Sequence, residues 1–134
     1  MNSGEEFMTI LKNYFKFLES EFDYQLTDSE IRGNAFYDIK YRNNNNVISI
    51  SYENIEERLL VILFILNKDG SLPSYDKDQS TIHLSTLNNN FFPHVKKDDI
   101  VNNNLIFSKF YPKNVIEKKI LKEAKELRLC LKYL

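Results

Sequence analysis

The sequence predicts an α+β fold, with an N-terminal helix, an antiparallel β-meander of about four to five strands and a C-terminal amphipathic helix. Three observations predict it. Apolar residues recur at three- and four-residue steps near both ends of the chain, which is the period of a helix face. The middle alternates apolar and polar residues, the period of a half-buried strand. Clusters of Asn, Asp, Gly and Ser separate the alternating runs where turns must fall.

At the start, Ser3 and Glu6 have the spacing of a capping box, in which each side chain satisfies a backbone N–H at a helix N-terminus. Phe7, Ile10, Leu11, Tyr14, Phe15, Leu18 and Phe22 then form one stripe of a helix ending near Glu21. Residues 24–30 read as a short strand or an irregular connection. From 35 to 42, Ala35, Tyr37, Ile39 and Tyr41 share one face, and Phe36, Asp38, Lys40 and Arg42, mostly polar, lie on the other. The Asn43 to Asn46 run marks a turn into a second strand from Val47 to Tyr52, with Ile48, Ile50 and Tyr52 facing inward. Asn54 to Arg58 is a polar connection into Leu59 to Leu66, which is apolar on both faces. Asp69-Gly70 is a turn signal, and Ser80 to Leu84 reads as a short last strand. Residues 85–101 lose periodicity and read as loops with one short helical turn. From Pro112, helical spacing resumes for roughly five turns.

With 134 residues, 43% hydrophobic and 28% charged, the chain fits a single domain spanning 1–134 with one core. One cysteine excludes an internal disulfide. The acidic start and the absence of an apolar leader run predict no export signal, and an eight-residue apolar run falls far short of the roughly 20 residues a membrane span needs. A reducing cytoplasm is the expected location, with no membrane partner. The doubly apolar strand asks what covers the second sheet face. The expected answers are the segment around Phe91 and Phe92, a second copy in a homodimer, or another partner.

The chemistry-bearing residues are few. Cys130, His83 and His94 do not supply the convergent ligands of a zinc site, so no metal and no cofactor are expected. His94 with Asp98 and Asp99 would suit a small-ligand or enzyme site in a helix–sheet pocket, yet such groupings in polar loops are commonly solvated. There is no G-x-S-x-G, Walker A or G-x-G-x-x-G sequence, so no catalytic residue is assigned and no enzyme is expected. The charge is polarised along the chain. Residues 1–58 carry 11 acids and 6 bases, and residues 59–134 carry 8 and 12. The basic excess lies mostly on the last helix, at Lys113, Lys118, Lys119, Lys122, Lys125, Arg128 and Lys132. As a nucleic-acid stripe it lacks interleaved base-contacting groups, and a solvated helix face is the plainer account. The acids Asp28, Glu30, Glu53, Glu56 and Glu57, taken as loop residues, with the loop aromatics Tyr75, Phe91 and Phe92, form the candidate partner-binding set, since charge steers association and aromatics anchor interfaces.

The segment from Phe36 to Tyr41, the Asn-rich turn, the segment from Val47 to Glu53 and the following Leu-rich strand resemble the small α+β immunity proteins of bacterial polymorphic or contact-dependent toxin systems. In these an N-terminal helix precedes a meander and a lysine-rich helix closes the chain. The resemblance implies a non-enzymatic cytosolic inhibitor that binds one cognate toxin domain. It assigns no role to any individual residue.

Overall fold

A computed structural model describes residues 4–73 and 80–134. The chain divides into two compact units, 1–83 and 84–134. The first holds helices α1 (Gly4–Tyr14) and α2 (Phe17–Glu21), followed by strands β1 (Gln25–Arg32), β2 (Phe36–Arg42), β3 (Asn46–Glu53), β4 (Arg58–Ile65) and β5 (Thr81–His83). The second holds α3 (Leu84–Phe91), α4 (Lys97–Ile106) and α5 (Val115–Tyr133), with 3₁₀ turns at Phe92–His94 and Phe107–Lys109. The α+β prediction therefore stands.

The strands form one antiparallel sheet in the order β1-β2-β3-β4-β5, each paired with its neighbour in sequence. Register follows the alternation read from the sequence: Ile39 lies opposite Ile50 and Ile50 opposite Val61, so Tyr37, Ile39, Tyr41, Ile48, Ile50, Tyr52, Val61 and Leu63 share one face. All eight are buried. Helix α1 lies on this face, with the Phe7 ring 4.7 Å from that of Tyr37 and 5.0 Å from that of Tyr52. Gly4 permits the close approach at its start, because a Cβ there would stand 3.2 Å from Ile31 Cγ2 and 3.3 Å from the Tyr37 ring.

The single N-terminal helix expected to run to Glu21 is broken in two. At Phe15 and Lys16 the backbone tightens to i→i+3 hydrogen bonds, Lys16 N–H to Asn13 and Leu18 N–H to Phe15. Tyr14, Phe15, Phe17 and Leu18 are all buried. A straight helix would spread these four over roughly 160° of arc, and the kink lets all of them leave water. Ser3, the expected cap, lies outside the described residues.

Residues 25–32 form a full strand, where a short strand or irregular connection was expected. Residues 84–106 hold two helices, α3 and α4, where 85–101 were expected to form loops with one short helical turn and Leu84 to end the last strand, which stops at His83. In the second unit both pack on α5. That helix starts as its sequence demands: the Asn114 side chain accepts from Glu117 N–H at 2.9 Å, and the Glu117 carboxylate accepts from Lys113 N–H at 3.4 Å, a reciprocal cap on the longest helix. Asn114→Ala is expected to lower stability by about 1 kcal/mol, read from the urea midpoint, whereas Asn114→Asp retains the acceptor and stays near wild type.

Candidate protein-binding surface

The site is built from sheet register. Glu30 lies opposite Asp38, Asp28 opposite Lys40, and Phe36 pairs with both Arg32 and Glu53. Cross-strand partners share a face, so Asp28, Glu30, Asp38 and Glu53 stand on the face opposite α1. The turns at one end of the sheet are tied together. Asn54 N–H donates to Ala35 carbonyl at 2.8 Å, and Asn54 Nδ2 donates to Asn34 carbonyl at 2.9 Å. This brings the β1–β2 turn against the β3–β4 turn that carries Glu56 and Glu57.

Each carboxylate has a different local task. Asp38 is 4% exposed and fully engaged, accepting from Ser49 Oγ at 3.0 Å and from Lys40 Nζ at 2.8 Å. The same bond holds the Lys40 ammonium above its ordinary pKa. Glu30 accepts from Arg32 Nε at 2.7 Å, and this hydrogen bond lowers the Glu30 pKa. Glu53 caps the following turn, its two oxygens taking Ile55 N–H at 2.9 Å and Glu56 N–H at 3.0 Å. Glu57 occupies the left-handed region at φ 52° in the turn between β3 and β4. At its tip Ile55 is 84% exposed. Of the six carboxylates on these strands and turns, Glu56 and Glu57 are exposed in the β3–β4 turn, Glu30 is exposed near the end of β1 and Asp28 farther along it, Glu53 is half-buried and Asp38 is buried; Arg32, Lys40 and Arg58 are the cations among them.

Sequence reasoning named five of these acids, but Asp28 and Glu30 were expected in loops and instead lie exposed on β1, with their backbone paired to β2. The residues it missed are Asn54, which staples the turns, and Ile55, the exposed apolar tip. Of the aromatics, Tyr75 lies outside the described residues. Phe91 ends α3 and is half-buried, and Phe92 opens a 3₁₀ turn and is 54% exposed, so neither is a loop residue. Both belong to the second unit, and the acids belong to the first.

The alternative sites fare differently. His94 ends the same 3₁₀ turn and Asp98 lies in the first turn of α4, both exposed. The Asp99 carboxylate accepts instead from the Tyr133 hydroxyl and lies 3.8 Å from Lys132 Nζ. Among the described residues no group of three or more His, Cys, Asp or Glu could hold a metal ion. Arg128, counted from the sequence among the basic groups of the α5 stripe, is 3% exposed and donates to Asn103 Oδ1 at 2.8 Å. It is a structural cation inside the second unit, and the solvated stripe loses it. A polar groove of about 570 Å³ at the other end of the sheet is lined by Asp23, Thr27, Arg42 and Asn43 to Asn45. The fold already uses its best donors and acceptors: Arg42 donates to Gly70 carbonyl, and Asn43 Oδ1 accepts from Asn45 and Asn46 N–H.

The fold and site therefore define a class, a small α+β chain with an acid-rich sheet end and, among the described residues, no helix long and apolar enough to cross a membrane. No family model matches the chain, and no curated protein or solved structure matches it.

Proposed function

We propose that this chain is a non-enzymatic protein-binding module of the immunity or inhibitor kind, which neutralises a cognate bacterial toxin in the cytoplasm by direct binding. The observation that carries the reading is the acidic end of the sheet, where register and the Asn54 staple gather carboxylates around the exposed Ile55. A rigid charged rim around an apolar tip gives fast, oriented association with a basic surface, and the apolar tip adds desolvation at the centre. The buried free thiol Cys130 suits a reducing compartment.

The partner to test is the toxin domain encoded beside this chain. Wild type is expected to protect cells that express that domain and to bind it in vitro, with affinity falling steeply as salt rises. Asp28→Lys combined with Glu30→Lys and Glu56→Lys is expected to weaken binding about 100-fold or more while the circular dichroism spectrum is retained. Equal binding by the triple variant would remove the acidic end of the sheet from the interface. Failure of wild type to bind or protect would sink the immunity reading itself.

A further inference from the structure

We infer that β1 is a docking edge, and that the partner segment it takes is an extended strand alternating basic and apolar residues. This inference rests on the protein-binding reading above and specifies how the partner is held. β1 is the sheet's outer strand, eight residues long or about 26 Å, and among the described residues it pairs with β2 alone. Seven of its eight residues are exposed. An edge of this length presents a row of backbone donors and acceptors to any strand that can lie beside it.

Edges are commonly guarded by proline, lysine or a central bulge. β1 has neither proline nor lysine, and its one register irregularity lies between Leu26 and Asp28, near its start. Its charges select rather than exclude. In a two-fold antiparallel pairing of two copies centred on Ser29, Asp28 of each copy meets Glu30 of the other, and like charges directly opposed are repulsive. A strand bearing lysine or arginine at alternate positions meets the same acids favourably, beside Lys40 at Asp28 and in competition with Arg32 at Glu30.

The other side of the edge supplies the apolar half of the pattern. Ser29 and Ile31 point toward α1, and between them and Glu5, Met8, Thr9 and Lys12 runs a groove of about 350 Å³. Its apolar groups are Met8, 4% exposed, and Ile31, 42% exposed. A strand added to β1 therefore places one set of side chains beside Asp28 and Glu30 and the alternate set in the α1–β1 groove. A helix flanking an open edge strand reads both at once, the backbone through the ladder and the side chains through the groove.

The probe is an end-blocked peptide as long as β1, alternating lysine and valine, titrated into the intact protein by fluorescence anisotropy and by amide hydrogen exchange. Expected are saturable binding, at least about tenfold slower exchange at β1 amides, and at least about tenfold weaker binding to the Asp28→Lys/Glu30→Lys variant and to Thr9→Trp, which fills the groove but leaves the acids. The same peptide with its amides N-methylated keeps its charge but cannot join a ladder, and it is expected not to bind. Equal binding by the methylated peptide overturns strand addition while leaving charge-led partner binding standing. Absence of binding by the lysine–valine peptide, or equal binding by its glutamate–valine counterpart, overturns the inference outright. So does sedimentation of the protein alone as a dimer with protected β1 amides, because a second copy would then be the occupant.

Discussion

Asn103→Ala is expected to lower the unfolding free energy by about 2–4 kcal/mol, a large effect for one polar residue of an Asn-rich helix. Asn103 is 3% exposed and works in two directions. Its Nδ2 donates to Lys125 carbonyl at 3.0 Å, and its Oδ1 accepts from Arg128 Nη1 at 2.8 Å. Truncation removes one partner of a buried guanidinium and leaves a helix carbonyl without that donor. The cost is the desolvation of groups left behind rather than the modest worth of the bonds themselves. Asn103→Asp keeps an acceptor opposite Arg128 but loses the donor to Lys125, so it should fall between wild type and alanine. Asn103→Leu paired with Arg128→Met removes both polar groups and is expected to recover part of the loss. Urea unfolding of the four proteins, followed by far-ultraviolet circular dichroism, checks the order. A near-neutral Asn103→Ala would mean that α4 is not held by this pair.

The same residue explains why α4 was illegible in the sequence. Hydrophobic periodicity finds helices that bury an apolar stripe, and α4 buries only Asn103 while Val101 and Leu105 are 52% and 65% exposed. Its attachment is polar: Asn103 bonds to α5, Tyr133 donates to Asp99, and Lys96 N–H donates to Tyr133 Oη at 3.0 Å. Asparagine is also a poor helix former, so propensity and pattern both pointed to loop. β1 hid for a related reason. An edge strand exposed at seven of eight positions needs no apolar alternation, and Thr27, Ser29 and Glu30 look like turn residues until the ladder with β2 is known. By contrast β2, β3, β4 and α5 bury the faces their spacing announces, and they were found within a few residues of their ends. The acids of the candidate surface were visible as residues but not as a surface. Their convergence depends on the pairing of residues 28–40 and 36–53 and on the Asn54 staple, which are long-range facts of register. Arg128 was misplaced because a charged residue at a helical step is normally solvent-facing, and only its partner on another helix shows otherwise.

Raising the pH from 9 to about 12 is expected to remove several kcal/mol of stability, more than any single exposed substitution. The groups responsible are buried acids that ionise only at alkaline pH. Burial, reinforced by the negative charge of Glu126, pushes the Cys130 thiol from its ordinary 9.0 up to about 11. Burial likewise pushes the Tyr24 phenol from 10.0 up to about 12, only partly opposed by its hydrogen bond with Asn43. Tyr41 and Tyr52 are raised as well, first by desolvation, and their buried hydroxyls have no hydrogen-bond partner among the described residues. In the unfolded chain these groups lose their protons near their ordinary values, while the folded chain retains them. Between the two values the folded state binds more protons, so stability falls as pH rises, by about 1.4 kcal/mol per pH unit for each such group. The contribution is complete below pH 9. By pH 11 the Cys130 share, about 2–3 kcal/mol, is lost, and by pH 12 a similar share from Tyr24 follows. Urea midpoints measured from pH 8 to 12 should therefore decline with a slope that steepens above pH 10. Cys130→Val should flatten the curve between pH 9 and 11, and Tyr24→Phe should flatten it between 10 and 12. The native thiol should react with a disulfide reagent at pH 8 only at the rate at which the second unit opens, because burial withholds both access and the thiolate. A pH-independent midpoint, or a Cys130 that reacts at the rate of free cysteine, would show that neither group is as deeply buried as its surroundings indicate.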